Sequence, residues 1–215
     1  MSFETTGQGT MRRKAVWGGA VRAAIAVAVV AASSGCGDLV RQGTGSSYLI
    51  VQALEAASGA TPQAFGGTLQ SDVVTVVDGA ATIFNDVGRI RLTLGMKDAG
   101  SADSPTSPTV NNFITINRYR VEYIRADGRN TEGVDVPFAF DGAATATVGA
   151  ADTTIAFTLV RHQAKIEAPL ASLARNPLII STIARLTFYG RDQTGREVIA
   201  TAQISVDFAN FGDPS

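Results

Sequence analysis

Oxygen donors gather in one short stretch, "DGRNTEGVD", which places Asp127, Asn130, Glu132 and Asp135 within nine residues. Carboxylates and an amide so close in a turn are the donor types that Ca²⁺ takes. The spacing is not that of an EF-hand, and Asx-rich hairpin loops form without metal, so the plainer reading is a self-bonded loop. His162 in "LVRHQAKIEAP" is the lone histidine and a candidate general base among many serines and aspartates. A Ser-His-Asp set is recognised by geometry rather than by spacing, and a turn or strand-edge imidazole is the simpler expectation. Arg118, Arg120 and Arg125 interleave with Tyr119 and Tyr123. On a strand that alternation offers a flat face for glycan or peptide. The competing expectation is that the tyrosines point inward and the arginines pair with acids such as Glu122 or cross-strand carboxylates.

Other chemistries have no sequence support. The chain contains no G-x-x-x-x-G-K-[ST], H-E-x-x-H, G-x-S-x-G or G-x-G-x-x-G. One cysteine and one histidine leave little for a soft-metal site, and no intramolecular disulfide can form. The net charge is −1, without the basic field that nucleic acid binding uses. No cofactor is expected, and nucleic acid is not expected as a partner. With 45% hydrophobic and 17% charged residues the chain is able to build a core.

The single cysteine, Cys36, lies in the stretch "AVVAASSGCGD", residues 28–38. Before it, Arg12, Arg13, Lys14 and Arg22 form a positive region, and Ala23 to Ala32 run without a polar side chain. Ten such residues fall short of the roughly 20 that span a bilayer, and suit the apolar core of an export signal. Met11 can serve as the start, since residues 1–10 add nothing a signal needs. Ser33, Ser34 and Gly35 supply the small residues of a processing site.

Ser33-Ser34-Gly35-Cys36 resembles a bacterial lipobox, the signal peptidase II site of bacterial lipoproteins. Ser34 and Gly35 fit the two positions before the cysteine; Ser33 stands where the family favours Leu, Val or Ile. The resemblance covers the N-terminal sixth of the chain. It implies that residues 1–35 are removed, that Cys36 carries acyl chains on sulfur and amine, and that the protein is exported and anchored in the cell envelope. Gly37 rather than Asp after the cysteine favours, by the same analogy, an outer-membrane destination. One acyl chain holds a protein only marginally, and two or three make release slow. Residues 36–46 then read as a lipidated, glycine-rich tether of roughly 30 Å, and the net charge beyond the signal is −4.

The elements that must position any site alternate with period two. "RIRLTLGMK" puts Ile90, Leu92, Leu94 and Met96 on one face, and "TTIAFTLVR" does the same with Ile155, Phe157 and Leu159. "LIISTIARLTFYG" and "REVIATAQISVDF", joined by "RDQTG", predict a hairpin in which Phe188 opposes Val198 and Leu186 opposes Ala200. Between Ile116 and Tyr119 the apolar phase changes parity, which predicts a β-bulge or a strand crossing between sheets. Further strands are expected at 48–54, 73–77, 81–84, 134–140, 144–148 and 164–170. Helix is expected to be scarce, a turn or two in "ALEAASG" or "APLASLARN", and "KDAGSADSPTSPT" reads as a loop.

About ten short strands predict an all-β, antiparallel β-sandwich, Ig-like or related, over residues 47–211, with a tail at 212–215. The mature part resembles Ig-like sandwich lipoproteins at the level of fold alone. Binding or scaffolding of an envelope protein or glycan is the first functional expectation. A small envelope hydrolase or glycan-acting enzyme, and an assembly component that adds a strand to a partner, are the alternatives.

Overall fold

Period-two alternation becomes two facing sheets. A computed structural model of the chain describes residues 45–212, which lie within one unit, Thr44–Ser215. Cys36, the export signal, the tether up to residue 44 and residues 213–215 of the tail fall outside the described residues.

The first sheet has three strands, in the order β1 (Ser47–Ala57), β5 (Asp86–Met96) and β10 (Thr153–Val160), all antiparallel. The second has five, in the order β2 (Thr68–Asp72), β12 (Glu197–Ala209), β11 (Ile180–Asp192), β8 (Ile114–Ile124) and β9 (Phe140–Val148). It is antiparallel except at one edge, where β2 runs parallel to β12. Two small hairpins complete the strands: β3 (Thr75–Val77) with β4 (Ala80–Thr82), and β6 (Gly100–Ser101) with β7 (Ser104–Pro105). The chain is therefore an all-β sandwich.

The core lies between the sheets, where the inward faces anticipated from alternation meet. Ile90 and Leu92 of β5, Ile155 and Phe157 of β10, and Leu186 and Phe188 of β11 are all buried. Tyr119, Phe157 and Phe188 form an aromatic knot, with Phe157 centred 5.2 Å from Tyr119 and 5.3 Å from Phe188. Aromatic pairs at such separations add to simple area burial. Phe157 fits because Gly88 lies beneath it; a Cβ there would come within 2.4 Å of the ring.

The change of apolar phase in β8 is a bulge at Asn117. Against β11 the pairing steps from Gly190↔Ile116 to Tyr189↔Arg118, so Asn117 is extra; against β9 it steps from Ile116↔Ala146 to Arg118↔Ala143, where β9 supplies two residues opposite Asn117. The extra residue turns Tyr119, Val121 and Tyr123 inward after Ile114 and Ile116. A second bulge, between Thr158 and Val160 of β10, is met by those tyrosines. Tyr123 donates its hydroxyl to the Leu159 carbonyl at 2.7 Å, and Tyr119 to that of Thr158 at 3.1 Å. Backbone groups freed by one bulge are thus satisfied by side chains that the other bulge re-aims.

Several expected elements differ. The β11–β12 hairpin pairs Phe188 with Ala200 and Leu186 with Ala202, two residues from the predicted register on the same faces. The strand continues to Asp192, whose Oδ1 accepts from the Thr194 and Arg196 amides and the Thr194 hydroxyl, and Gly195 takes φ 83°. This is a three-residue turn where five residues were expected. The expected strand at 164–170 is instead helix α1 (His162–Ile166) followed by a 3-10 turn (Leu170–Arg175). Of 134–140 only Phe140 is strand. "ALEAA" belongs to β1, and "KDAGSADSPTSPT" holds the β6–β7 hairpin.

Candidate functional site

The two ends of the sandwich differ. Pairing of Ser47 with Met96 and of Ile114 with Asp192 puts the start of β1, the 97–113 connection and the β11–β12 turn at one end. The opposite end holds the connections 58–67, 73–85, 125–139 and 161–179, since Ala57 pairs with Val87 and Ile180 with Phe208. An 11-residue strand separates the ends by roughly 35 Å.

At this far end a polar cluster lies inside the molecule. Asp86 opens β5 and is fully buried, as is Ser71 near the end of β2. The Ser71 hydroxyl donates to Asp86 Oδ2 at 2.6 Å, and the Gly59 amide donates to Oδ1 at 2.8 Å. Lys165, 3% exposed, reaches in from α1 and places Nζ 2.9 Å from Oδ1. Burial pushes the Asp86 carboxyl above the usual carboxylate range, opposed by Lys165, Ser71 and Gly59. Beside the cluster, Arg161 stacks its guanidinium 4.3 Å from the Phe140 ring centre. The cluster joins both sheets, α1 and the β1–β2 connection. No substrate reaches it without an opening of that end.

Sequence reading missed this cluster. A lysine in "RHQAKIEAP" taken as a strand points to solvent by alternation; on a helical turn it points inward. The available signal was Asp86, a carboxylate at the head of the apolar strand "DVGRIRL".

Around it, connections at the same end expose apolar side chains. Val76 and Val77 lie on the β3–β4 hairpin, Val134 and Phe138 precede β9, Ile166 ends α1, and Leu178 and Ile179 precede β11. Among the described residues these are seven of eleven exposed large hydrophobics. The hairpin turns through Asp78 and Gly79, both at positive φ, so the Asp-Gly pair holds its two valines in place.

The oxygen donors of 127–135 do not converge. Asp127 is held by Arg125 and Arg129, Asn130 accepts the Arg125 amide, Glu132 the Ala139 amide and Asp135 the Thr131 amide. Those arginines hold the Asp127 carboxyl well below its ordinary range. Among the described residues no three His, Cys, Asp or Glu side chains form a metal-binding group. His162 begins α1, where its amide donates to Asn85 Oδ1 at 2.6 Å and its Nδ1 lies 3.3 Å from the same atom.

Tyr119 and Tyr123 point inward, and the arginines around them are paired. Arg120 bonds Glu122 at 3.0 Å and Asp141 at 2.9 Å, and Arg185 bonds the other Glu122 oxygen at 2.7 Å. Arg185 first, then Arg120, hold the Glu122 carboxyl below its ordinary range. Arg118 lies 3.8 Å from the Tyr189 ring centre, beside the bulge. A cleft there measures about 90 Å³, and another beside Glu55, Arg89 and Arg91 about 240 Å³. Ligand pockets run from about 300 to 1,000 Å³. No helix among the described residues is long and apolar enough to cross a membrane.

No protein-family model and no curated protein matches the chain. Among solved structures it is similar to the X-ray structure of Northeast Structural Genomics Consortium target SoR45. The two share 12% identity over 78% of this chain and 89% of that one, with a TM-score of 0.34, which carries no argument about function.

Proposed function

We propose that this protein is a lipid-anchored binding module of a bacterial cell envelope, held through acyl chains on Cys36. Its working face is the loop end remote from β1's first residue. The observation that supports this reading is the distribution of exposed apolar side chains. Three separate connections, 73–85, 125–139 and 161–179, present them at one end, and that end lies a strand length from Ser47, where β1 begins. Fixed loops with exposed apolar tips on a rigid sandwich suit a protein partner, with desolvation of those tips as the driving force. Closure of the Asp86–Lys165 cluster to solvent also supports binding rather than catalysis there.

Two experiments test the halves of the proposal. Cys36→Ser moves the full-length protein from the membrane fraction to the soluble fraction; retention in the membrane overturns the anchor. Phe138→Glu combined with Leu178→Glu abolishes co-purification of an envelope protein after cross-linking in intact cells. Thr194→Glu, at the other end, leaves it unchanged. Equal capture by both variants overturns the placement of the face.

A further inference from the structure

Asp86 and Lys165 form the one ion pair among the described residues whose two side chains are both shielded from water, at 0% and 1% exposure. Removing two charges from water is costly, and apolar side chains of the same volume serve stability as well or better. The arrangement does satisfy the needs of a different reaction. An amine nitrogen sits 2.9 Å from a carboxyl oxygen of the same molecule, with both groups fixed by their elements. Fixed juxtaposition substitutes for very high reactant concentration. Exclusion of water favours the uncharged amine and acid over the ion pair, and works against the reverse hydrolysis.

We propose that Lys165 and Asp86 condense to an intramolecular isopeptide bond, tying α1 to β5. A proton passes from the ammonium to the carboxylate, and the amine lone pair then forms the Nζ–Cγ bond. Oδ1 takes up the developing negative charge, where the Gly59 amide donates to it at 2.8 Å. Oδ2, 2.6 Å from Ser71 Oγ, leaves as water. Of the three ammonium hydrogens, two depart in that water, with the Ser71 hydroxyl passing a proton to the leaving oxygen, and one stays on the amide. Positive and negative charge cancel, and no other reactant is consumed. The burial that holds the Asp86 carboxyl above its usual range supports the protonated acid as the reacting form.

The test is a tryptic map of the full-length protein, purified from cells and denatured. Without the bond, cleavage releases peptide 42–89, which contains Asp86, and separate peptides 162–165 and 166–175. With the bond, Lys165 is not cleaved, and 42–89 is recovered joined to 162–175. The mass of the branched species is lower than the sum of those two peptides by about 18 Da, one water. Asp86→Ala returns the three separate peptides, and Ser71→Ala lowers the branched fraction. Recovery of free 162–165 in full yield from the wild-type protein overturns the proposal, whatever the variants do.

Discussion

Ser71 and Asp86 are joined by a 2.6 Å hydrogen bond that links an edge strand of the five-stranded sheet to the central strand of the three-stranded one. Both side chains are fully buried, and the same carboxylate receives Gly59 and Lys165. Asp86→Ala therefore leaves a cation, a hydroxyl and an amide without their acceptor. Removing one partner of a buried ion pair costs about 3–5 kcal/mol, to which loss of the proposed Lys165–Asp86 bond would add, and Ser71→Ala is expected to cost about 1.5–3 kcal/mol. Urea unfolding of the full chain measures both. A loss for Asp86→Ala of only about 0.5 kcal/mol, the size of a surface substitution, contradicts the role assigned to the cluster.

Asn117 is the extra residue of β8 relative to β11, whereas against β9 the extra residue lies on β9, where Ala144 and Thr145 stand opposite Asn117. Deleting it forces one half of the strand to turn its face outward. Either Ile114 and Ile116 or Tyr119, Val121 and Tyr123 then leave the core. The deletion is expected to abolish cooperative unfolding, whereas Asn117→Ser, which keeps the residue count, retains it. Thermal melts followed by near-UV circular dichroism distinguish the two. A deletion variant with a wild-type melt would contradict the bulge.

What the sequence made legible follows from how local each cause is. The bulge was readable because apolar residues change parity within one strand, between Ile116 and Tyr119. The hairpin was readable to its faces but not to its register. Parity comes from alternation, whereas register depends on the Asp192 carboxylate accepting three donors and pulling the turn tight. Short apolar patterns misled where helix and strand share them. Ala164, Ile166 and Leu170 suit a strand, yet form one helical turn and a 3-10 turn. Val134, Val136, Phe138 and Phe140 alternate as a strand would, but Val136 and Phe140 are buried while Val134 and Phe138 are exposed. The Asp86 cluster was illegible because its four members, from Gly59 to Lys165, are brought together only by tertiary packing.

The Asp192 turn predicts a pH dependence. Burial raises the Asp192 carboxyl, but donors from Thr194 and Arg196 outweigh it and hold the group below its ordinary value. A carboxylate with a depressed folded pKa contributes stability above its unfolded pKa, about 3.9. That contribution is lost as pH falls through the lower folded value. Asp192→Asn, which keeps an acceptor but does not titrate, is expected to differ most from wild type near neutral pH and to converge with it in acid. Denaturation midpoints measured between pH 7 and pH 2 follow this. A difference that grows on acidification contradicts it.

The most direct test of the central claim is photo-cross-linking in intact cells from one position at each end of the sandwich. A photoreactive residue replacing Phe138 reports on the far end, and one replacing Thr194 reports on the end where β1 begins. The account predicts a discrete cross-linked envelope protein from position 138, none of it from position 194, and loss of the product when Cys36→Ser releases the protein from the membrane. The same product from both positions, or an undiminished product in the Cys36→Ser variant, would contradict it.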